Sequence, residues 1–162
     1  MGKCDAARRL GCGLVAVVIG GSAQAACGPG LLDLRWGGGA AHFAVEIADT
    51  AAERELGLMH RDQMASAAGM IFVYDRPVHA QFWMKDTLIP LDMIFADAAG
   101  VVTAVHSNAI PGDLTPIDGG EGVVYVVEIN GGLAAGLGIA PGAVMRSDLI
   151  DPALAEWTCA AP

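Results

Sequence analysis

The stretch LDMIFADAAGVVTAVH, residues 91–106, predicts a β-hairpin and indicates the class of the fold. Its two apolar runs, 91–96 and 101–106, each have the length of a strand. The Asp-Ala-Ala-Gly segment between them is typical of a hairpin loop. Two strands that are joined by so short a connection pair in the antiparallel direction.

The residues before this hairpin continue the pattern of short strands. Residues 42–47 alternate polar and apolar side chains, as a half-buried strand does. Residues 70–74 predict a buried strand, which we expect to end at Arg76 and Pro77, and residues 79–84 predict the next one. The Gly-rich residues 27–41 predict irregular structure.

After the hairpin, residues 108–122 are rich in Pro, Gly and Asp and predict a long loop. A loop of that length is unusual in a compact domain, so it is a candidate binding edge. Residues 123–129 predict a last long strand, and residues 133–138 predict one or two turns of helix.

One further helix is marked by its start signal. Thr50 and Glu53 have the spacing of a capping box, which predicts a short helix from Thr50. We expect apolar residues such as Leu56 to face the core from this helix. Many short strands with one or two short helices predict a mostly β fold: a single, compact, antiparallel domain that is either barrel-like or a sandwich.

Residues 1–25 have the pattern of a secretory signal peptide. A basic start precedes the uncharged apolar run 10–21, and Ala-Gln-Ala at 23–25 is a small-x-small cleavage pattern. The apolar run has about twelve residues and is short for a permanent membrane span. We therefore expect an exported protein, periplasmic or secreted, whose single domain covers 26–162; a retained N-terminal anchor is the alternative.

The predicted mature chain is strongly acidic. Removing residues 1–25 takes away three basic residues and one acidic residue, leaving six Lys and Arg against seventeen Asp and Glu, a net charge of −11. Binding to nucleic acid requires clustered positive charge, so we expect no nucleic-acid partner. Nor does the sequence contain a basic patch for an anionic membrane surface.

Two cysteines remain after the predicted cleavage, Cys27 and Cys159, at opposite ends of the mature chain. Domain termini often lie close together, and exported proteins form disulfides in oxidising compartments. We predict a disulfide that joins the two ends. A lipid-modified Cys27 is the alternative, but Gln24 stands where a lipoprotein signal has a Leu-like residue.

No phosphate loop, zinc-binding cysteine pairs, His-Glu-x-x-His or nucleophile elbow occurs in the sequence. We therefore predict no cofactor and no metal site, and the sequence leaves open whether the protein is an enzyme. Six strings stand out instead: ER at 53–54, GLMHR at 57–61, GMIF at 69–72, FWMKDT at 82–87, IPLDMIF at 89–95 and YVVEIN at 125–130.

In their order and spacing, these strings resemble domain-of-unknown-function family 192, and the match covers residues 43–144. The resemblance implies a compact, β-rich domain that is often exported and has no established activity. The family usually has Asn where this chain has Asp86, which replaces an amide donor by a negative charge.

The charged residues within these apolar strings are the candidate binding residues. Asp92 lies in a predicted strand, where an unpaired carboxylate would be costly, so it requires partners. Arg54, Arg61 and Lys85 are the basic side chains available. They form either an ion-pair network or a polar pocket that holds a carboxylate, sulfate or phosphate group. The pocket hypothesis has seven ligand-binding candidates: Arg54, Arg61, Trp83, Lys85, Asp86, Thr87 and Asp92.

The leading hypothesis is therefore an exported binding or accessory domain, whose partner is a small molecule or an envelope protein. The first alternative is a cell-envelope enzyme that uses carboxylates as acid and base, with Glu53, Asp86, Asp92 and Glu128 as candidates. The second alternative is a copper-handling protein, since thioether and imidazole groups suit copper. Its candidate ligands are His60, Met59, Met64, Met70, Met84 and Met93.

Overall fold

The structure is a computed structural model that describes residues 27–159, in which seven strands and two short helices occur. The elements, in chain order, are β1 (Leu31–Trp36), β2 (Gly39–Ala48), α1 (Ala51–Leu56), β3 (Ala68–Phe82), β4 (Leu91–Ala96), β5 (Val102–Ala109), β6 (Ile117–Asn130), α2 (Leu133–Leu137) and β7 (Val144–Arg146).

The strands form one curled sheet in the order β5-β4-β6-β3-β2-β1-β7, a half-barrel. Val101, next to β5, forms a bridge with Val144 of β7, so the two edges of the sheet approach each other there. All strand pairs are antiparallel except β2 and β3, which run parallel with α1 in the connection between them. The structure confirms a mostly β, barrel-like fold with two short helices.

The central strands of the sheet are buried on both faces, which explains why their sequences are almost continuously apolar. The apolar residues of β6 are divided between two separate clusters. Val127 and Ile129 join the cluster that contains Ile71. Val126 joins the cluster that contains Phe72. We call the latter the second face; it is the side on which Leu58 packs.

Helix α1 begins at its predicted start. The Thr50 side chain accepts a hydrogen bond from the Glu53 N–H at 3.3 Å, and the Glu53 carboxylate accepts one from the Thr50 N–H at 3.0 Å. The expectation that Leu56 faces the core is wrong, since that side chain is 55% exposed. Gly57, with φ 49°, ends the helix and redirects the chain, so that Leu58 is the residue that enters the core.

Strand β3 passes through Arg76 and Pro77, so the two strands that the sequence predicted around this pair are one strand. Register shifts between Val73 and Val78 occur where it pairs with β6. A bulge of this kind accommodates a proline, which donates no ladder hydrogen bond. The break that Pro77 indicated is therefore an irregularity within a continuous strand.

Two segments that the sequence predicted to be irregular are shorter in the structure than predicted. The residues predicted to be irregular at the start contain β1, which pairs with both β2 and β7. The predicted loop 108–122 is reduced to 110–116, because β5 continues to Ala109 and β6 begins at Ile117. In both places a pairing that is distant in the sequence contributes, that of β1 with β7 and that of Ile117 with Phe82.

The two ends of the described chain meet. Cys27 and Cys159 lie within disulfide bonding distance, with their Cα atoms 5.8 Å apart. Nearby, the Trp157 ring lies against two guanidinium carbons, that of Arg35 at 4.5 Å and that of Arg146 at 4.1 Å from its centroid. The segment after β7 is thereby held beside β1 and β7.

Peptide mapping tests the pairing of the cysteines. In the unreduced protein we expect a linked peptide pair that contains Cys27 and Cys159, and we expect reduction to separate it and lower the melting temperature. Recovery of both cysteines as free thiols under non-reducing conditions would contradict the disulfide.

The predicted signal peptide, 1–25, and its cleavage site lie outside the described residues. Between residues 27 and 159, no helix is both long enough and apolar enough to cross a membrane.

Candidate functional site

An open cavity of about 700 Å³ lies beside the turn that follows β3. Four of the seven predicted binding residues line it, and the remaining wall comes from Leu88 and the 110–116 loop. We call it the outer cavity; its lining consists of Trp83, Lys85, Asp86, Thr87, Leu88, Pro111, Gly112 and Leu114.

Backbone hydrogen bonds fix the turn that carries these side chains. The N–H of Met84 donates to the carbonyl of Asp113 at 2.9 Å, and the N–H of Gly112 donates to the carbonyl of Met84 at 3.0 Å. The carbonyl of Asp86 accepts from the N–H of His60 at 2.8 Å. The cavity therefore has a preformed frame, since its two walls are hydrogen-bonded to each other.

Large apolar side chains are exposed around the outer cavity. Trp83 is 50% exposed, Leu88 57% and Leu114 60%. Phe82, the neighbour of Trp83, instead packs inward, with its ring edge-on to those of Phe72 and Phe95. Exposed apolar residues are ordinary when they are isolated, but a group of them that lines one concavity is typical of a binding site.

Lys85 is the cation of the outer cavity. Its ammonium nitrogen lies 5.3 Å from the centroid of the Trp83 ring, within the range of a cation–π contact. Across residues 27–159 this side chain forms no ion pair. Lys85 therefore remains available to an anionic group on a molecule that lies against Trp83.

A smaller cavity of about 120 Å³ adjoins the outer one, and Trp83 and Thr87 line both. We call it the inner cavity. Its wall combines α1 and the residues after it with side chains of β3 and β6. The other lining residues are Arg54, Glu55, Leu56, Gly57, Leu58, Met59, Phe72, Tyr74, Gln81, Phe82 and Glu128.

Glu128 is the unusual group of the inner cavity. It is 4% exposed and faces Met70 of β3 and Met93 of β4 across the sheet. None of the described residues donates a hydrogen bond to its carboxylate. Burial raises the pKa of Glu128 from 4.5 to about 8. The carboxyl group is therefore mostly protonated at pH 7.

Arg54 and Tyr74 also line the inner cavity. The Arg54 guanidinium donates to the carbonyls of Asp49 and Val73, the latter at 2.9 Å, and lies 5.1 Å from the centroid of the Tyr74 ring. Burial raises the pKa of the Tyr74 hydroxyl, against the attraction of the Arg54 charge. Arg54 is thus fixed as part of the wall by backbone carbonyls.

The other two predicted binding residues line neither cavity. Arg61 forms an ion pair with Glu46, in which Nη2 and Oε2 are 2.6 Å apart, and this hydrogen bond holds the pKa of Glu46 below its usual value. Asp92 is fully buried. The expectation that basic side chains neutralise Asp92 is wrong, because its carboxylate is satisfied by main-chain amides.

Three backbone N–H groups donate to the Asp92 carboxylate: those of Asn108 at 2.6 Å, Gly132 at 2.8 Å and Ala134 at 2.6 Å. These amides belong to the end of β5 and the beginning of α2. Of the predicted acid–base candidates, Asp92 is satisfied by these main-chain amides and Glu53 caps α1. Asp86 lies at the outer cavity and Glu128 lies in the inner cavity.

Most of the methionines proposed as copper ligands lie in the core. Met70, Met84 and Met93 are at most 6% exposed and belong to the cluster of the second face, and Met64 packs against that cluster. In this setting their thioethers fill space between apolar side chains. Within residues 27–159, no group of three His, Cys, Asp or Glu side chains is arranged to hold a metal ion.

Sequence reasoning missed several lining residues, notably Leu88, Leu114, Tyr74 and Gln81. The signal for one of them was present, because Leu114 is an apolar residue within a loop of Pro, Gly and Asp. The others could not be assigned, since their roles depend on long-range contacts such as that between Met84 and Asp113.

The fold and the cavities define a half-barrel β domain with an open, largely apolar site at the end of its longest strand. The chain belongs to domain-of-unknown-function family 192 (DUF192), described as "Uncharacterized ACR", which matches residues 34–147. Among curated protein sequences, none matches the chain.

Two solved structures are similar. A Novosphingobium aromaticivorans protein of unknown function is 42% identical, with a TM-score of 0.69, and the match covers 71% of this chain and 82% of that one. A Sinorhizobium meliloti protein, named as a proposed transcription regulator, is 38% identical with the same TM-score, and the match covers 71% of this chain and 90% of that one.

Proposed function

We propose that this protein is an extracytoplasmic binding domain for a small amphipathic organic molecule. The observation that carries the proposal is the outer cavity of about 700 Å³, in which exposed apolar side chains surround one cation without an ionic partner in the described chain. A volume of this order is typical of small-molecule sites, as is a mostly apolar lining with few polar groups.

The lining favours a ligand with a flat apolar body. The Trp83 ring offers a stacking surface, and Leu88 and Leu114 supply apolar contact beside it. Lys85 favours an acidic group at the edge of the same body. A neutral aromatic compound should therefore bind, and an aromatic carboxylate should bind more tightly.

An extracytoplasmic location is supported by the predicted signal peptide and by the proximity of Cys27 to Cys159. A role in transcription, as in the name of the Sinorhizobium meliloti relative, is less consistent with the charge of this chain. The net charge after residue 25 is −11, whereas DNA binding requires clustered positive charge.

Thermal-shift measurements with indole-3-acetate and its neutral analogue tryptophol test the proposal. At a hundred times the dissociation constant, a ligand stabilises the folded state by about 2.7 kcal/mol, a shift of several degrees. We expect Trp83→Ala to weaken both ligands at least tenfold, and Lys85→Ala to weaken indole-3-acetate alone.

Matched leucine variants provide the control. Leu114→Ala removes an apolar contact of the outer cavity, whereas Leu154→Ala removes an equally exposed leucine that lines neither cavity. Only the former should weaken binding. If neither compound shifts the melting temperature, or if Trp83→Ala leaves both shifts unchanged, the outer cavity is not the binding site.

A further inference from the structure

We propose that the inner cavity is a subsite for the protonated amine of the ligand, and that the Glu128 carboxylate is the group that binds it. This inference rests on the proposed function, because the outer cavity holds the apolar body of the same molecule. Trp83 and Thr87 line both cavities, so a ligand stacked on Trp83 can extend a short arm toward Glu128.

The first argument is that the Glu128 carboxyl group lacks a partner in its own chain. It is more than nine-tenths buried and accepts no hydrogen bond from any residue between 27 and 159. No fully enclosed side-chain oxygen or nitrogen of the described residues lacks a partner, so the unpartnered carboxylate of Glu128 opens onto the cavity and is not sealed within the core. Because Glu128 lines a cavity, a partner can reach it from outside the chain.

The second argument is the size and lining of the inner cavity. A volume of about 120 Å³ is several times the roughly 30 Å³ that one water occupies in the liquid, so an ammonium group with a short linker fits. Tyr74 and Trp83 present aromatic rings, which attract cations, and Gln81 and Thr87 supply hydrogen-bonding oxygens.

The third argument is the balance of charge around Glu128. The charged and titratable groups that face the inner cavity are Arg54 and Glu55 from α1 and Tyr74 from β3; Met70 and Met93, the neighbours across the sheet, are uncharged. Arg54 is occupied by the carbonyls of Asp49 and Val73. With Glu128 ionised, the two carboxylates outweigh the single guanidinium, and the cavity favours a cation.

Binding of an amine requires a defined proton movement. In the free protein Glu128 is mostly protonated at pH 7, because burial raises its pKa to about 8. When an ammonium group enters, the carboxyl group loses its proton to solvent and the resulting carboxylate pairs with the ammonium. Close to one proton is then released for each ligand bound at pH 7, and affinity rises almost tenfold between pH 6 and pH 7.

Calorimetric titration with tryptamine and tryptophol tests the inference, since the two differ by an amine against a hydroxyl group. In buffers of different ionisation enthalpy at pH 7, we expect tryptamine to release close to one proton and tryptophol to release none. We expect Glu128→Gln to weaken tryptamine at least tenfold and to abolish its proton release, while tryptophol binds as before.

Asp62→Asn is the matched control, because it removes an exposed carboxylate that lines neither cavity; it should leave the affinity for tryptamine and its proton release unchanged. If tryptamine binds no more tightly than tryptophol and releases no proton, or binds equally well to Glu128→Gln, the amine subsite is overturned while the proposed function stands. Binding of neither compound overturns both.

Discussion

Asp92→Ala is expected to lower the free energy of unfolding by about 3–5 kcal/mol, since it removes a fully buried carboxylate and leaves three main-chain amides without their acceptor, that of Ala134 in a buried setting. Asp92→Asn keeps one acceptor oxygen and should lose about half as much. Urea denaturation of the two variants measures the difference.

Asp62→Ala is the control for this comparison, because that carboxylate is exposed and should be within about 0.5 kcal/mol of the parent protein. A loss below 1 kcal/mol in Asp92→Ala would show that the three amides find other acceptors. The large value is expected because the amides lie in segments that cannot rearrange freely.

Two of the residues that donate to Asp92 have a backbone conformation with positive φ. Asn108 has φ 57° and Gly132 has φ 81°, both in the left-handed region, and both donate their N–H groups to Asp92. A non-glycine residue such as Asn108 persists in that region when its surroundings stabilise it. Asp92 therefore connects β4 to the end of β5 and the beginning of α2, and this explains a carboxylate within an apolar strand.

The parts of the fold that the sequence predicted are those that local interactions determine. The capping box of Thr50 and the hairpin loop between β4 and β5 each depend on residues close together in the chain. Strand β1 was missed because it depends on pairing with β2 and with the distant β7. For the same reason the continuation of β3 past Pro77 was not predictable, since β6 stabilises it.

The residues of the candidate site were likewise predictable where they are neighbours in the sequence and not where the fold brings them together. Trp83, Lys85 and Thr87 were predicted together because they are neighbours in one polar interruption of an apolar sequence. The sequence also marked Glu128 as an acid–base candidate. Its place in a cavity was not predictable, because that cavity is built from α1 and strands that meet only in the folded sheet.

The pairing of charges was predicted least well. Arg61 was considered for Asp92, but Glu46, fifteen residues before Arg61 and on β2, is its partner. Asp92 in turn is satisfied by backbone amides, which a sequence contains at every position except proline. The identity of charged residues therefore indicated that partners were required without indicating which ones.

Glu128→Gln is expected to stabilise the protein by about 3–5 kcal/mol at pH 9 and to change its stability little at pH 4. The pKa of Glu128 is about 8 in the folded state and has the ordinary value of 4.5 in the unfolded chain. Between pH 4.5 and pH 8, therefore, the folded state keeps a proton on Glu128 that the unfolded chain has lost. The free energy of unfolding of the parent protein therefore falls through this window, by about 1.4 kcal/mol for each unit of pKa difference.

Glutamine resembles the protonated carboxyl group in shape and does not ionise, so the variant lacks this contribution. The difference between the two proteins in urea denaturation at pH 4, 6.5 and 9 isolates Glu128 from the other titrating groups, and Glu55→Gln should show no such trend. Equal pH dependence in the parent and in Glu128→Gln would mean that the carboxyl group ionises freely. In that case it would hold no proton at pH 7 for an incoming amine to displace.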